Sequence, residues 1–426
     1  MKQVQKFLLL GGKPIASMEI ARYVKSKGIY LIVADYLPVS ASPAKRIADE
    51  CWDISTAAVD ELEEAARRSG VTAVFTGVHE FNITQALELS QRLGLPFYTT
   101  PAQWEFFTDK TCQKKLFRQF GVSVPEEYFV GNVLPANLPD KVEYPVLLKP
   151  VDGSGAFGVL VCRDKQQLLN NFPVSLAASP SGRVLVERYI EGTEATIFYI
   201  IQNGKVRLSA MADRHVKHNQ YGIIPLPVAY VFPSRHLEHY LEATNDKVIA
   251  ALESCGIQNG MLFIQTLVKD GNFLFYDVGY RLTGTQEYLL LEEICGFNPL
   301  KMLVDYALTG EAGESILDRV NPRFNCFAGN LTFLARPATI GSFVGLEELA
   351  SMEGVVAVLK NHFEGETIPE SVKGTLNQVV LRVFFVAPTR ERMKDIMDYA
   401  HKVVRVLSPA GENILLPHFD TAELEE

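Results

Sequence analysis

The sequence predicts an α/β and α+β multidomain fold, with a parallel α/β unit at the N-terminus and a β-rich lid at the C-terminus. Three observations predict it. Over the first hundred residues short apolar runs alternate with helical patterns, the rhythm of a parallel sheet covered by helices. Beyond residue 120 strand-like runs dominate, and from about Asn321 short strands alternate with Gly and Pro. At 426 residues the chain exceeds one typical core, and a hydrophobic content of 47% supplies material for several. The expected division is an α/β unit over 1–108, a small lobe with a mobile loop over 109–190, a larger central unit over 191–318 and the lid over 319–426.

Taken in order, Phe7–Leu10 reads as a buried strand and the pattern through Ile20, Ala21 and Val24 as a helix stopped by Gly28. Tyr30–Ala34 is a second strand, ending at Asp35. Helix Val59–Ser69, strand Val71–Thr76, helix Ile83–Leu93 and a strand near Pro96–Tyr98 continue the alternation. A helix over Asp109–Phe120, closed by Gly121, leads to strands at Val146–Lys149, Val159–Cys162 and Val184–Glu187. Further strands are expected at Ala195–Gln202, Val206–Met211, Met261–Val268 and Phe273–Val278, the last two flanking the hairpin signal Asp270-Gly271. Helices are expected over Leu237–Ser254, Pro299–Ala307 and Arg390–Leu407, and a last strand at Asn413–Leu416.

A formal net charge of −9 without a long basic run speaks against a nucleic-acid or anionic-membrane surface. Six scattered cysteines with no CxxC pair fit reduced thiols better than disulfides or a zinc site. Phe7-Leu-Leu-Leu10 is too short for a signal peptide, and no run approaches the ~18 apolar residues of a membrane span. A cytoplasmic location is expected. A homodimer is compatible with the sequence but not readable from it.

The chemistry-bearing residues form a relay. Lys149 ends a strand, where a point charge can meet phosphates. It precedes Asp152-Gly153-Ser154-Gly155-Ala156-Phe157-Gly158, whose backbone N–H groups can converge on phosphate oxygens; the alternative is a plain hairpin turn. Glu187, Arg188, Tyr189 and Ile190 close a strand whose backbone can pair with an adenine edge, and Glu194 can reach ribose hydroxyls. In the hairpin after Gly260, a two-residue Asp-Gly turn pairs Gln265 with Tyr276, whereas a three-residue loop sets Gln265 opposite Asp277. Only the second register builds a shared oxygen site for magnesium. Arg281, before Leu-Thr-Gly284, is a fork suited to a carboxylate or phosphoryl group, and Arg214 can face the same triphosphate. Gly11-Gly12 with Asp35 is a dinucleotide candidate, but Ser17 and Met18 stand where a third glycine is sought.

In this order and spacing the fragments resemble the ATP-grasp superfamily over nearly the whole chain. More narrowly, they are similar to carboxylate–amine ligases with a carbamoyl-phosphate-synthase-like layout. The resemblance implies an ATP-grasp fold, with an N-terminal α/β domain, a small mobile lobe, a central domain and a C-terminal lid. It implies Lys110 and Lys149 at phosphates, with Gly153, Ser154 and Gly155 closing over them. It also implies Glu187, Arg188, Tyr189 and Ile190 at adenine and Glu194 at ribose. Gln265 and Asp277 fall at the metal, Mg2+ or alternatively Mn2+, and Arg281, with Arg214 and Gly284, at the reacting groups. The implied reaction activates a small-molecule carboxylate with ATP as an acyl phosphate and passes it to an amine. The alternative is a nucleotide-binding protein of this fold with weak or lost catalysis. One departure motivates that alternative: the strand reads Asp277-x-Gly279-x-Arg281 where the family commonly has Glu-x-Asn-x-Arg. The substrate pocket is implied between the N-terminal and central domains, near His79, Glu80 and 221–230.

Overall fold

The structure, a computed structural model, describes residues 5–13, 15–152, 157–217 and 226–424. The loop residues Gly153, Ser154 and Gly155, and the 221–225 part of the expected pocket lining, lie outside them.

The N-terminal unit is a parallel sheet in the order β3-β2-β1-β4, built from β1 (Lys6–Leu10), β2 (Tyr30–Ala34), β3 (Glu50–Trp52) and β4 (Ala73–Thr76). Phe7–Leu10 and Leu31–Ala34 are fully buried, as expected for strands covered on both faces. Helices α1 (Ser17–Ser26), α2 (Val59–Ser69) and α3 (Glu80–Leu93) pack on them; α2 turns Val59, Leu62, Ala65 and Ala66 inward at helical spacing. Residues 96–98 do not form the expected strand. Their apolar character serves ring packing instead: Tyr98 meets Tyr280 edge-on at 5.4 Å and donates its hydroxyl to the Tyr280 carbonyl. Helix α4 (Pro101–Thr108) follows, capped by Thr100, and α5 (Lys110–Gln119) is capped by Asp109, which accepts from the Thr111 and Cys112 N–H groups.

The small lobe is an antiparallel sheet ordered β5-β8-β6-β7, from β5 (Glu127–Gly131), β6 (Val146–Pro150), β7 (Leu160–Cys162) and β8 (Val184–Arg188), with α6 (Lys165–Ala177) against it. Val146, Leu148, Val184, Val186 and Phe172 make its core. Its register sets Lys149 beside Leu185 and Leu147 opposite Glu187.

The largest unit is an eight-stranded antiparallel sheet. It contains β9 (Thr193–Gln202), β10 (Lys205–Lys217), β11 (Leu226–Phe232), β12 (Gly260–Lys269) and β13 (Asn272–Gly279). The expected helix over Leu237–Ser254 is two, α7 (Leu237–Ala243) and α8 (Asn245–Ser254), because Thr244 leaves helical φ/ψ. Helices α9 (Tyr288–Cys295) and α10 (Pro299–Thr309) follow. The C-terminal segment is β-rich, but three of its strands extend this sheet rather than forming another. They belong to a series from β14 (Phe327–Leu334) through β15 (Ala338–Thr339), β16 (Ser342–Val344), β17 (Val355–Lys360) and β18 (Thr367–Ile368) to β19 (Val379–Ala387). The full order is β13-β12-β9-β10-β11-β14-β19-β17. Helix α11 (Leu346–Ala350) is short, and α12 (Arg390–Val403) ends before β20 (Arg405–Leu407), so the expected helix to Leu407 is cut by a strand that pairs with β16. Asn413–Leu416 makes only isolated bridges, Leu407 with Asn413 and Ala335 with Leu415. The tail is held by rings: His418 stacks on His401 at 3.9 Å, and Phe419 lies against His215 at 4.5 Å. Burial pulls the His401 imidazole down to about 3, with help from the His418 and Lys217 charges.

Candidate nucleotide and carboxylate site

Helix α5, strand β6, strand β8 and the β12–β13 hairpin converge on one cluster of charges. The hairpin decides its geometry. Lys269 pairs with Asn272 around a two-residue turn in which Asp270 and Gly271 both have positive φ, 49° and 73°. That turn alone would set Gln265 against Tyr276. Instead the ladder shifts: Thr266 faces Phe275 and Gln265 faces Asp277, leaving Tyr276 as the extra residue of a β-bulge. Neither sequence-based register is correct in full, because the two-residue turn and the Gln265–Asp277 pairing coexist. Directly opposed residues share a face, so the two oxygen-bearing side chains can serve one cation.

The bulge frees the Tyr276 carbonyl, which accepts a hydrogen bond from Lys149 Nζ at 2.9 Å. Lys149 also pairs with Glu187 Oε1 at 2.6 Å, and Lys114 pairs with the other Glu187 oxygen. All three side chains are buried. Burial pushes the Glu187 carboxyl up, but the Lys149 and Lys114 ammonium groups outweigh it and hold it below its ordinary value. Burial likewise brings Lys114 down to about 8, against the pull of Glu187. Lys110, one turn before Lys114, places its Nζ 3.8 Å from Asp277 Oδ1.

Glu187 therefore faces inward, its carboxylate anchoring two lysines. The Arg188 and Tyr189 N–H groups are taken by the Glu126 and Pro145 carbonyls, and the Arg188 side chain is exposed beside Glu143. Among the described residues Ile190 alone of the three keeps a backbone N–H without an acceptor. Glu194 accepts from Arg214 and, at 2.9 Å, from the Tyr276 hydroxyl, so a ribose there would share an occupied carboxylate. Arg281 donates to Glu80 at 3.1 Å and lies 5.0 Å over the Phe263 ring. Burial keeps His79 beside it below its ordinary value. Gly284 lies in the turn after Arg281, where a Cβ would come into ordinary contact with Ile15.

Gly279 explains the departure at the metal strand. A Cβ there would overlap the Phe263 ring, which fills the space a longer side chain would need. Two protein oxygens, from Gln265 and Asp277, remain for a divalent cation, and among the described residues no group of three or more His, Cys, Asp or Glu side chains is placed to bind one. This donor set suits Mg2+ that takes its other ligands from phosphates and water.

The register carries polar residues across one face of the large sheet. Gln265 faces Thr196, Glu194 faces Arg214, Arg214 faces Tyr230, and Tyr230 faces Asn330. Two residues past Asn330, Thr332 faces Arg382. Within the expected pocket lining, Leu226–Tyr230 is part of β11 in this sheet, and Arg214 Nε reaches the Tyr230 hydroxyl at 3.3 Å.

The dinucleotide candidate is closed. Asp35 Oδ2 accepts from the Gly12 N–H at 2.7 Å and from Ser42 Oγ at 2.8 Å, occupying the place a pyrophosphate would take. Lys45 neutralises it at 3.2 Å. Lys114 escaped the sequence reading; its signal is the i,i+4 spacing from Lys110 on the same helix. Tyr276 and Arg382 carried no motif at all.

Residues 107–285 match the family model described as ATP-grasp domain. The chain is 25% identical over 174 residues to dapdiamide A synthase of Enterobacter agglomerans, an alignment covering 39% of each. It therefore spans about two fifths of that relative's length. Its fold superposes on L-amino acid ligase from Bacillus licheniformis with a TM-score of 0.76 and 18% identity, over 96% of this chain and 100% of that one. A second solved structure is the biotin carboxylase domain dimer of Hydrogenobacter thermophilus 2-oxoglutarate carboxylase with MgADP, ADP and bicarbonate. It gives a TM-score of 0.77 at 19% identity, over 95% and 91% of the two chains. No described helix is long and apolar enough to cross a membrane.

Proposed function

The chain carries an ATP-grasp domain, and from that premise we propose that it is an ADP-forming ligase that joins a small-molecule carboxylate to an amine. The observation that carries this reading is the pairing of Gln265 with Asp277 beside Lys110 and Lys149, at the seam between the small lobe and the large sheet. The relatives named as a synthase and a ligase support the reaction class.

In this reading Lys149 and Lys110 bind the phosphates, and Gln265 and Asp277 hold Mg2+ or Mn2+. The cation, when bound, neutralises phosphate charge. Glu187 is the shared counter-charge of the buried Lys114 and Lys149 and fixes Lys149 in place. A substrate oxygen attacks the γ-phosphorus, the bond from phosphorus to the ADP oxygen breaks, and an acyl phosphate results. Arg281 leaves Glu80 to receive that anion as a planar two-pronged donor. The amine nitrogen then attacks the acyl carbon, and inorganic phosphate leaves with the carbon–oxygen electron pair. Positioning and preorganised charge do most of the work.

The test is product analysis with Mg-ATP and pooled carboxylic acids and amines. ADP plus phosphate that depends on one acid and one amine pool is the expected result. AMP plus pyrophosphate, or nucleotide binding with no turnover on any pool, would overturn it.

A further inference from the structure

The polar row ends at Arg382, and a second buried charge, Glu287 at the start of α9, lies near it without touching it. Arg382, 4% exposed on β19, donates to Thr332 Oγ1 at 2.6 Å and to Asn330 Oδ1 at 3.5 Å. Both partners are neutral, and its Nε has no partner among the described residues. Glu287, 1% exposed, lies six residues beyond Arg281 at the start of α9. Its Oε2 accepts from Thr283 and Thr285, while Oε1 is unpartnered. The two groups feel each other's charge, yet among the described residues neither forms an ion pair. Thr196, opposite Gln265, and Gln286, next to Glu287, likewise bury Oγ1 and Oε1 without partners, and Gln286 is held at a φ of 55°. Native interiors seldom leave one such group unsatisfied. An uncompensated buried guanidinium is more costly still. A polar ligand seated between the two ends would satisfy both.

We propose that Arg382 and Glu287 are the two ends of a recognition pocket for an amino acid that serves as the amine substrate, its carboxylate on Arg382 and its amino nitrogen on Glu287. This deepens the ligase reading and rests on it for the reaction, though not for the binding. Chain order fits: Glu287 lies between Arg281, where the acyl phosphate is proposed to sit, and the sheet position of Arg382. The ammonium hands one proton to the Glu287 carboxylate; the free nitrogen attacks the acyl carbon, the carbon–oxygen bond to phosphate breaks, and the second nitrogen proton leaves on that phosphate. Burial raises Glu287 above its ordinary value, against the Thr283 and Thr285 hydroxyls, and so favours its taking a proton.

Calorimetric titration of the full chain with proteinogenic amino acids, their methyl esters and their decarboxylated amines tests this without requiring turnover. At least one amino acid should bind, with its ester and decarboxylated amine on the order of 10–100-fold weaker, the loss expected for a charged hydrogen bond. Arg382→Gln should erase that preference, and Arg382→Lys should keep part of it, while ADP affinity stays unchanged in both. Glu287→Gln should lower ADP formation more than amino-acid affinity. Equal binding of acid, ester and amine, or no binding because water fills the pocket, would overturn the proposal. So would a parallel loss of amino-acid and ADP affinity in Arg382→Gln. If Arg382→Gln does not fold, the three-ligand comparison on the unaltered protein decides alone. ADP formation in the same preparation separates the outcomes: amino-acid binding without turnover sinks the ligase reading but leaves the pocket standing.

Discussion

Gln265 faces Asp277 because Tyr276 is pushed out of the ladder between β12 and β13. One extra residue turns a plain hairpin into an oxygen pair, and the same bulge offers its carbonyl to Lys149. The proposed metal donors and the proposed phosphate lysine are therefore set by a single backbone irregularity. Asp277→Asn preserves that backbone and removes the charge. It should lower Mg-dependent ADP formation on the order of 100-fold while leaving the fold intact, as read by steady-state kinetics beside circular dichroism.

Glu187→Gln should be more damaging to stability than to any single contact. It leaves the Lys114 and Lys149 ammonium groups buried together without their shared counter-charge. Breaking such a buried ion cluster costs about 3–5 kcal/mol, which denaturant unfolding would reveal as a lower midpoint at unchanged slope. Unchanged stability would mean the cluster is far more solvated than its burial indicates.

Gly279→Asn introduces a side chain into the space of the Phe263 ring and should destabilise by about 1–3 kcal/mol through overpacking. Combined with Phe263→Ala, the asparagine should be accommodated and supply a third oxygen donor. Tighter Mn2+ binding in the double variant than in Phe263→Ala alone, measured by electron paramagnetic resonance, is the expected outcome.

Acid sensitivity should begin in the C-terminal tail. The folded chain holds His401 at about 3, below its ordinary 6.5, so it favours the neutral ring. The associated stability is complete above pH 6.5 and is lost as pH falls from there toward 3, by up to about 1.4 kcal/mol per unit. His401→Gln should flatten thermal stability between pH 6.5 and 5; an identical profile in the variant would assign that window to other groups.

Strand ends were the legible part of this chain. Lys149, Glu187, Asp277 and Arg281 all close or follow apolar runs, where alternation fixes which face they take. The hairpin was readable only as two rival registers, because a bulge leaves no compositional mark: Phe-Tyr-Asp looks the same whether or not Tyr276 pairs. Glu187 was read as a ligand contact from its neighbours, yet its burial depends on Lys114, which arrives from a helix 73 residues earlier. Arg382 and Glu287, 95 positions apart, are brought near each other by the packing of α9 on β19 rather than by any local pattern. The Pro96–Tyr98 strand failed for the converse reason, since aromatic packing against Tyr280 imitates a buried strand in a one-dimensional reading.

The joining of β11 to β14 sets where this chain can be cut. The stretch that matches the domain family stops at residue 285, short of β14. Expressed by itself, it would bare the edge of β11 over Ala229–Phe232, where β14 pairs, in a strand whose residues Leu226–Phe232 are all buried. A bare apolar strand edge recruits other strands, so such a fragment is expected to form aggregates, and a soluble truncation must keep residues through β19.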